Sequence, residues 1–173
     1  FMPSVVFLID PAIYNVVCFL DPAICRDVWH LHRSLPILSH PCFLTTKISF
    51  ANMVGDLATQ MGANPEKILS AVGSDSRIGT KYFKYGFGYG GPCFPRDNRA
   101  FSLFAGDNNI DAVISKASDA ANQFHLQYQV DEFMKNNDRS KQIIFSGLSY
   151  KPGTTIIEES QKLSLAVELA GKG

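Results

Sequence analysis

The stretch from Gly86 to Asp97, GFGYGGPCFPRD, gathers the residues of this chain best suited to covalent chemistry. Pro95 suits the first turn of a helix, where no amide hydrogen is needed. That places Cys93 at the helix mouth, where the dipole and free amides favour a thiolate. Arg96 adds positive charge beside it, and Asp97, four residues on from Cys93, falls on the same side of the helix. Gly86, Gly88, Gly90 and Gly91 allow the backbone to wrap a ligand and present main-chain amides to it. A nucleophilic sulfur, a carboxylate and a glycine-lined pocket fit covalent catalysis. The competing reading is a buried structural cysteine in a glycine-rich loop.

Two patterns in the same region are set aside. Residues 86–91 match G-x-G-x-x-G, but a dinucleotide fingerprint needs a hydrophobic strand before it and a helix after its third glycine. Here KYFK precedes and Pro92-Cys93-Phe94-Pro95 follows. The aromatic set Tyr82, Phe83, Tyr85, Phe87, Tyr89 and Phe94 could stack on bases. With 16 basic and 16 acidic residues the chain has no net charge to attract a polyanion, so these rings are assigned to packing and no nucleic acid is expected.

The 173 residues, 46% hydrophobic and 18% charged, suffice for one core plus a fragment of another. Cys18, Cys25, Cys42 and Cys93 form neither CxxC nor a zinc-like set with the histidines, so no metal site is expected and a reduced, cytoplasmic protein is. No apolar run reaches the roughly 18 residues of a membrane span. The apolar opening lacks a basic start and is broken by Pro3, Asp10, Pro11, Asp21 and Pro22, so no signal peptide is expected.

The elements that must hold the Cys93 loop are mainly helical. Residues 43–62 place Leu44, Ile48, Ala51 and Ala58 on one stripe and Phe50, Val54, Leu57 and Met61 beside it, which predicts a long, deeply buried helix closed by Gly62. Asn64 caps the next helix, with Pro65 in its first turn and an end near Gly73. Residues 110–136 predict another helix, packed through Ala112, Val113, Ala117, Ala120, Ala121, Phe124, Tyr128 and Phe133. The apolar run 142–147 then predicts a strand and 160–173 a helix, together the first unit of a Rossmann-like sheet. Residues 1–42 show no clear domain; FLIDPAI at 7–13 and FLDPAI at 19–24 suggest two short strands, each ended by Asp-Pro. The predicted domains are therefore an uncertain segment at 1–42, a helical domain with the Cys93 loop at 43–138, and the start of an α/β domain at 139–173.

Three blocks carry a resemblance to a known family. Gly88-Tyr89-Gly90-Gly91-Pro92-Cys93-Phe94-Pro95-Arg96-Asp97 resembles the GFGG-x-CFPKD motif of the UDP-glucose/GDP-mannose dehydrogenases. SDSRIGTKYFKYG at 74–86 is similar to that family's D-x-RIG-x-KF element, and GLSYKPGT at 147–154 to its GLAFKPNT. The resemblance covers roughly residues 43–173. It implies oxidation of a sugar CH2OH to a carboxylate with two NAD, on the UDP-glucose side of the family. Cys93 would be the nucleophile that turns an aldehyde into a thiohemiacetal, and Asp97 would position or activate the hydrolytic water. Arg77, Lys84, Gly88, Tyr89 and Gly90 would contact the UDP-sugar, Tyr150 and Lys151 would close the site, and Arg96 would lie toward the cofactor. It further implies a homodimer through the 44–61 helix, although a core helix of a monomer would have the same sequence. NAD itself would be held by a domain absent from this chain.

Departures from the family pattern are local. By register with TTKISF, the family's catalytic K-x-x-x-N falls on Ile37 and Pro41, neither of which can replace its counterpart. Arg96 stands for a lysine and keeps its charge with a different geometry, and Glu158 stands where an arginine is expected. The readings left open are a fragment of an active dehydrogenase and a remnant or oligomerisation module that keeps the fold without the chemistry. The isolated chain is expected to be inactive. An unrelated cysteine hydrolase is disfavoured, since no histidine lies near Cys93 in the sequence.

Overall fold

A computed structural model of the chain describes the backbone of residues 22–138 and 141–172, with side chains from Leu35 onward. The chain divides into two compact units, residues 1–36 and residues 37–173. The described backbone of the first is helical from Pro22. Both expected short strands, the second of which Asp21-Pro22 would end, lie outside the described residues.

Among the described residues five helices account for the regular structure: α1 (Pro22–Gln60), α2 (Pro65–Gly73), α3 (Phe94–Asp107), α4 (Val113–Asn136) and α5 (Gln161–Gly171). Helix α1 begins well before the expected Phe43, because Pro22 suits a first turn and Pro36 and Pro41 each remove one intrahelical donor without ending the helix. Its end is local chemistry. Gly62 takes φ +70°, its N–H reaches the Thr59 carbonyl at 3.0 Å, and the Ala63 N–H reaches the Ala58 carbonyl at 2.8 Å, the paired bonds of a Schellman closure. Asn64 then caps α2 by accepting the Lys67 N–H at 2.9 Å, with Pro65 in the first turn. Ser160 caps α5 through the Leu163 N–H.

The long helices bury faces other than those their apolar residues suggest. On α1 the buried positions are Cys42, Thr45, Ser49, Ala51, Asn52, Gly55 and Ala58, with Thr45 at 0% and Asn52 at 1% exposure. Phe50, Leu57 and Met61, expected inside, are exposed, as are Phe43 and Met53. On α4 the buried residues are Ser115, Ser118, Asn122, His125 and Val130, whereas Val113, Ala117, Ala120 and Phe124 face out. The reason is space and hydrogen bonding: small or polar side chains let backbones approach closely, and here each finds a partner. Thr46 and Ser49 bond Ser118 at 3.0 Å, and Asn98 Oδ1 receives the Thr45 and Ser115 hydroxyls at 3.1 Å.

Apolar cores flank this polar seam. Ala51, Leu69 and Phe83 form one with Val54 and Tyr85; Val130, Leu165 and Leu169 form the other with Leu126, Phe133, Met134 and Phe145. A fully buried leucine such as Leu69 contributes about 2 kcal/mol. Residues 142–147 form no strand: a ladder needs a neighbouring strand, and none occurs among the described residues. The chain is mainly helical, and the run expected to open a sheet instead lends Phe145 to the core between α4 and α5.

Candidate active site

Cys93 is the N-cap of α3 and is exposed; Pro95 occupies the first turn, as its sequence position predicts. The Asp97 N–H donates to the Cys93 carbonyl at 2.8 Å, so the two side chains sit one helical turn apart on one face. Arg96 turns back to pair with the Asp97 carboxylate at 2.8 Å. That hydrogen bond, with smaller contributions from Cys93 and Glu158, holds the Arg96 guanidinium more firmly protonated. Lys151 is likewise held protonated, first by Tyr150 and then by the nearby Cys93 and Tyr82. Arg96 is thus tied to the Asp97 carboxylate and Lys151 to the Tyr150 ring, and both lie within the electrostatic reach of the exposed thiol.

The loop leading to Cys93 is gripped by side chains from α1 and α4. Gly86 donates its N–H to Asn52 Oδ1 at 3.1 Å, and its carbonyl lies 2.6 Å from His125 Nε2. His125 is buried, with Nδ1 2.8 Å from the Asp56 carboxylate, which also accepts the Tyr85 hydroxyl at 2.9 Å. Asn122 binds both main-chain groups of Tyr89 at 2.9 Å. The Tyr89 ring is buried and its hydroxyl donates to Asp119 at 3.0 Å; burial, then the Asp119 charge, push that phenol well above its ordinary range. Gly91 donates its N–H to the Glu158 carbonyl at 3.1 Å.

These contacts correct the reading of the loop as a free cradle of amides. The N–H groups of Gly86, Tyr89 and Gly91 already have protein acceptors. The glycines serve close packing instead: a Cβ at Gly88 would collide with Asn122 Oδ1, at Gly90 with the Glu159 carbonyl, and at Gly91 with the Tyr150 ring. Lys84 and Gly88 line a cleft of about 430 Å3 with Ile48, Thr80, Lys81, Tyr82 and Phe87. Arg77 is exposed and bonded to Asp75 through its backbone and guanidinium. Among the described residues no group of three or more His, Cys, Asp or Glu could hold a metal, and no helix is long and apolar enough to cross a membrane.

The residues missed from the sequence are Asn52, Asp56, Asn98, Arg99, Asp119, Asn122, His125 and Glu159. A signal existed for several. Thr45, Ser49, Asn52 and Asp56 recur at helical spacing along α1, and Ser115, Ser118, Asn122 and His125 do so along α4.

Residues 38–124 match the central domain of the UDP-glucose/GDP-mannose dehydrogenase family. The chain belongs to this family. A UDP-glucose 6-dehydrogenase of Bacillus subtilis is 35% identical over 130 residues, covering 74% of this chain and 30% of its own. One from Pseudomonas aeruginosa is 37% identical over 134 residues, covering 76% and 30%. Among solved structures, a UDP-glucose dehydrogenase of the archaeon Pyrobaculum islandicum superposes with TM-score 0.70 at 36% identity, over 80% of this chain and 33% of that one. The chain thus spans about 30% of the length of these curated relatives.

Ile37, 69% exposed, and Pro41, half-buried, lie one helical turn apart on α1. At residues 86–91, where the glycine pattern stands, Asn122, the Glu159 carbonyl and the Tyr150 ring pack directly on Gly88, Gly90 and Gly91.

Proposed function

We propose that this chain is the central part of an NAD-dependent UDP-glucose 6-dehydrogenase and supplies its covalent nucleophile. The observation that carries the reading is an exposed Cys93 at the N-cap of α3, flanked by Asp97, Arg96 and Lys151, inside a family motif. In this reading Cys93 adds to the aldehyde carbon of the half-oxidised sugar, forming a C–S bond while the thiol proton passes to the carbonyl oxygen. NAD, when bound, would supply the hydride acceptor for taking that thiohemiacetal to a thioester. Water, positioned by Asp97, splits it to UDP-glucuronate and returns the thiol. Lys84 and Gly88, which line the cleft, together with Tyr89, Gly90 and Arg77 would serve the UDP-sugar, Tyr150 and Lys151 would close the site, and Arg96 would lie toward the cofactor. Free Cys42 and Cys93 suit a reducing cytoplasm.

The exposed row Phe43, Phe50, Met53 and Leu57 on α1, continued by Met61 just past its end, supports a homodimer in which a second copy covers this face. A second reading is favoured by Ile37 and Pro41: a relative that keeps the fold and the dimer but lacks the lysine and asparagine of the hydrolytic step. Alkylation of Cys93 with and without UDP-glucose tests the first reading. Protection of Cys93 by UDP-glucose, weaker with GDP-mannose, is the expected result. Equal labelling under all conditions would leave the second.

A further inference from the structure

We propose that Arg99 is a positioning residue that, by gripping Glu159 and Asp119 together, latches the segment 148–160 onto the Cys93 loop and so sets where Lys151 stands beside the thiol. Arg99 lies on α3, six residues beyond Cys93. Its Nη1 and Nη2 meet the two Glu159 carboxylate oxygens at 2.6 and 3.1 Å, a forked pair, while Nε meets Asp119 at 3.2 Å and Nη2 meets it at 3.4 Å. Asp119 in turn takes the Tyr89 hydroxyl from within the loop. One guanidinium therefore ties together α3, α4, the loop and a segment 60 residues further along the chain.

The far side of the latch holds backbone as well as charge. Glu159 has φ +43°, a left-handed conformation that a residue with a side chain adopts only when its surroundings impose it. In that conformation its carbonyl stands over Gly90, while the neighbouring Glu158 carbonyl takes the Gly91 N–H at 3.1 Å. The segment then folds back on itself through the Tyr150 N–H and the Ile156 carbonyl at 3.0 Å, laying the Tyr150 ring on Gly91. Lys151 follows directly, its Nζ 5.3 Å from the centre of the Tyr150 ring that covers Gly91, two residues before Cys93, and its electrostatic surroundings include that thiol. An isolated exposed ion pair contributes little. This one is bidentate, shared between two carboxylates, and sits where the backbone depends on it.

The inference rests on the contacts of the segment and needs no nucleotide sugar, so its test is independent of the proposed reaction. Cys93 alkylation at fixed pH and Gly91 amide exchange are measured in the native chain, in Arg99→Gln, Glu159→Gln and their double variant, and each again with Lys151→Gln. Lys151→Gln is expected to slow alkylation in the native chain by about threefold, since a cation beside a cysteine raises its reactivity. The same substitution should change nothing once Arg99 or Glu159 is altered. Gly91 exchange should rise about threefold or more in either single variant, rise no further in the double, and stay nearer native in Arg99→Lys, while exchange in α2 is unchanged. A Lys151 effect of equal size in all backgrounds, no Lys151 effect in the native chain, or unchanged Gly91 exchange would each overturn the proposal. Should Arg99→Gln fail to fold, Glu159→Gln carries the same comparison.

Discussion

The two faces of α1 are built from opposite materials. One buries Thr45, Ser49 and Asn52 against the Cys93 loop, α3 and α4; the other exposes Phe43, Phe50, Met53, Leu57 and Met61. A helix that hides its hydroxyls and shows its phenylalanines departs from the usual amphipathic rule. The inversion has a physical basis. Hydrophobic burial is non-directional and would hold the loop only loosely, whereas each buried hydroxyl or amide must meet one partner in one geometry. The polar face thus sets the position of the loop before Cys93, while the apolar face is available to another surface.

The sharpest break of this comparison is at Asn122, whose loss strands both the N–H and the carbonyl of buried Tyr89. Asn122→Ala should destabilise the chain by about 2–4 kcal/mol, read from urea unfolding. A change below about 0.5 kcal/mol, the size of a neutral surface substitution, would show that the seam does not hold the loop.

Next comes a contrast between neighbours on α1. Val54 packs on the core of Ala51, Leu69 and Phe83, so Val54→Asp should destabilise by about 2–3 kcal/mol. Leu57 is 59% exposed, so Leu57→Asp should leave monomer stability within about 0.5 kcal/mol and lower the sedimenting mass instead. Equal unfolding by both substitutions would mean that the exposed face serves the internal fold.

A smaller effect compares two thiols. Burial pushes the Cys42 thiol up, opposed in part by Ser115, while Cys93 is exposed. Iodoacetamide should label Cys93 at least about tenfold faster in the native protein, and the two should converge in urea. Because the folded value of Cys42 is raised, its contribution to stability is present below the ordinary thiol range and is lost as pH climbs through the raised value. The smallest effect is expected at Arg77, fully exposed and paired only locally with Asp75. Arg77→Ala should not move the unfolding midpoint, and a measurable shift would point to a structural contact of Arg77 beyond Asp75.

Short-range chemistry was legible in the sequence. Gly62 ends α1, Asn64 and Pro65 start α2, Pro95 puts Cys93 at the mouth of α3 and Ser160 starts α5, because caps and turns are decided within about four residues. The motif around Cys93 was equally plain and led to the family. Which side of α1 and α4 is buried was decided only in three dimensions, since Asn122 gains its value from Tyr89, 33 residues away. The same holds for the run 142–147, whose composition suits a strand but which has no neighbouring strand to pair with among the described residues. It holds too for Arg99, whose meeting with Glu159 is invisible to any periodicity. Local backbone geometry is written in neighbouring residues, whereas the partner of a buried polar group is chosen by the fold that brings the two together.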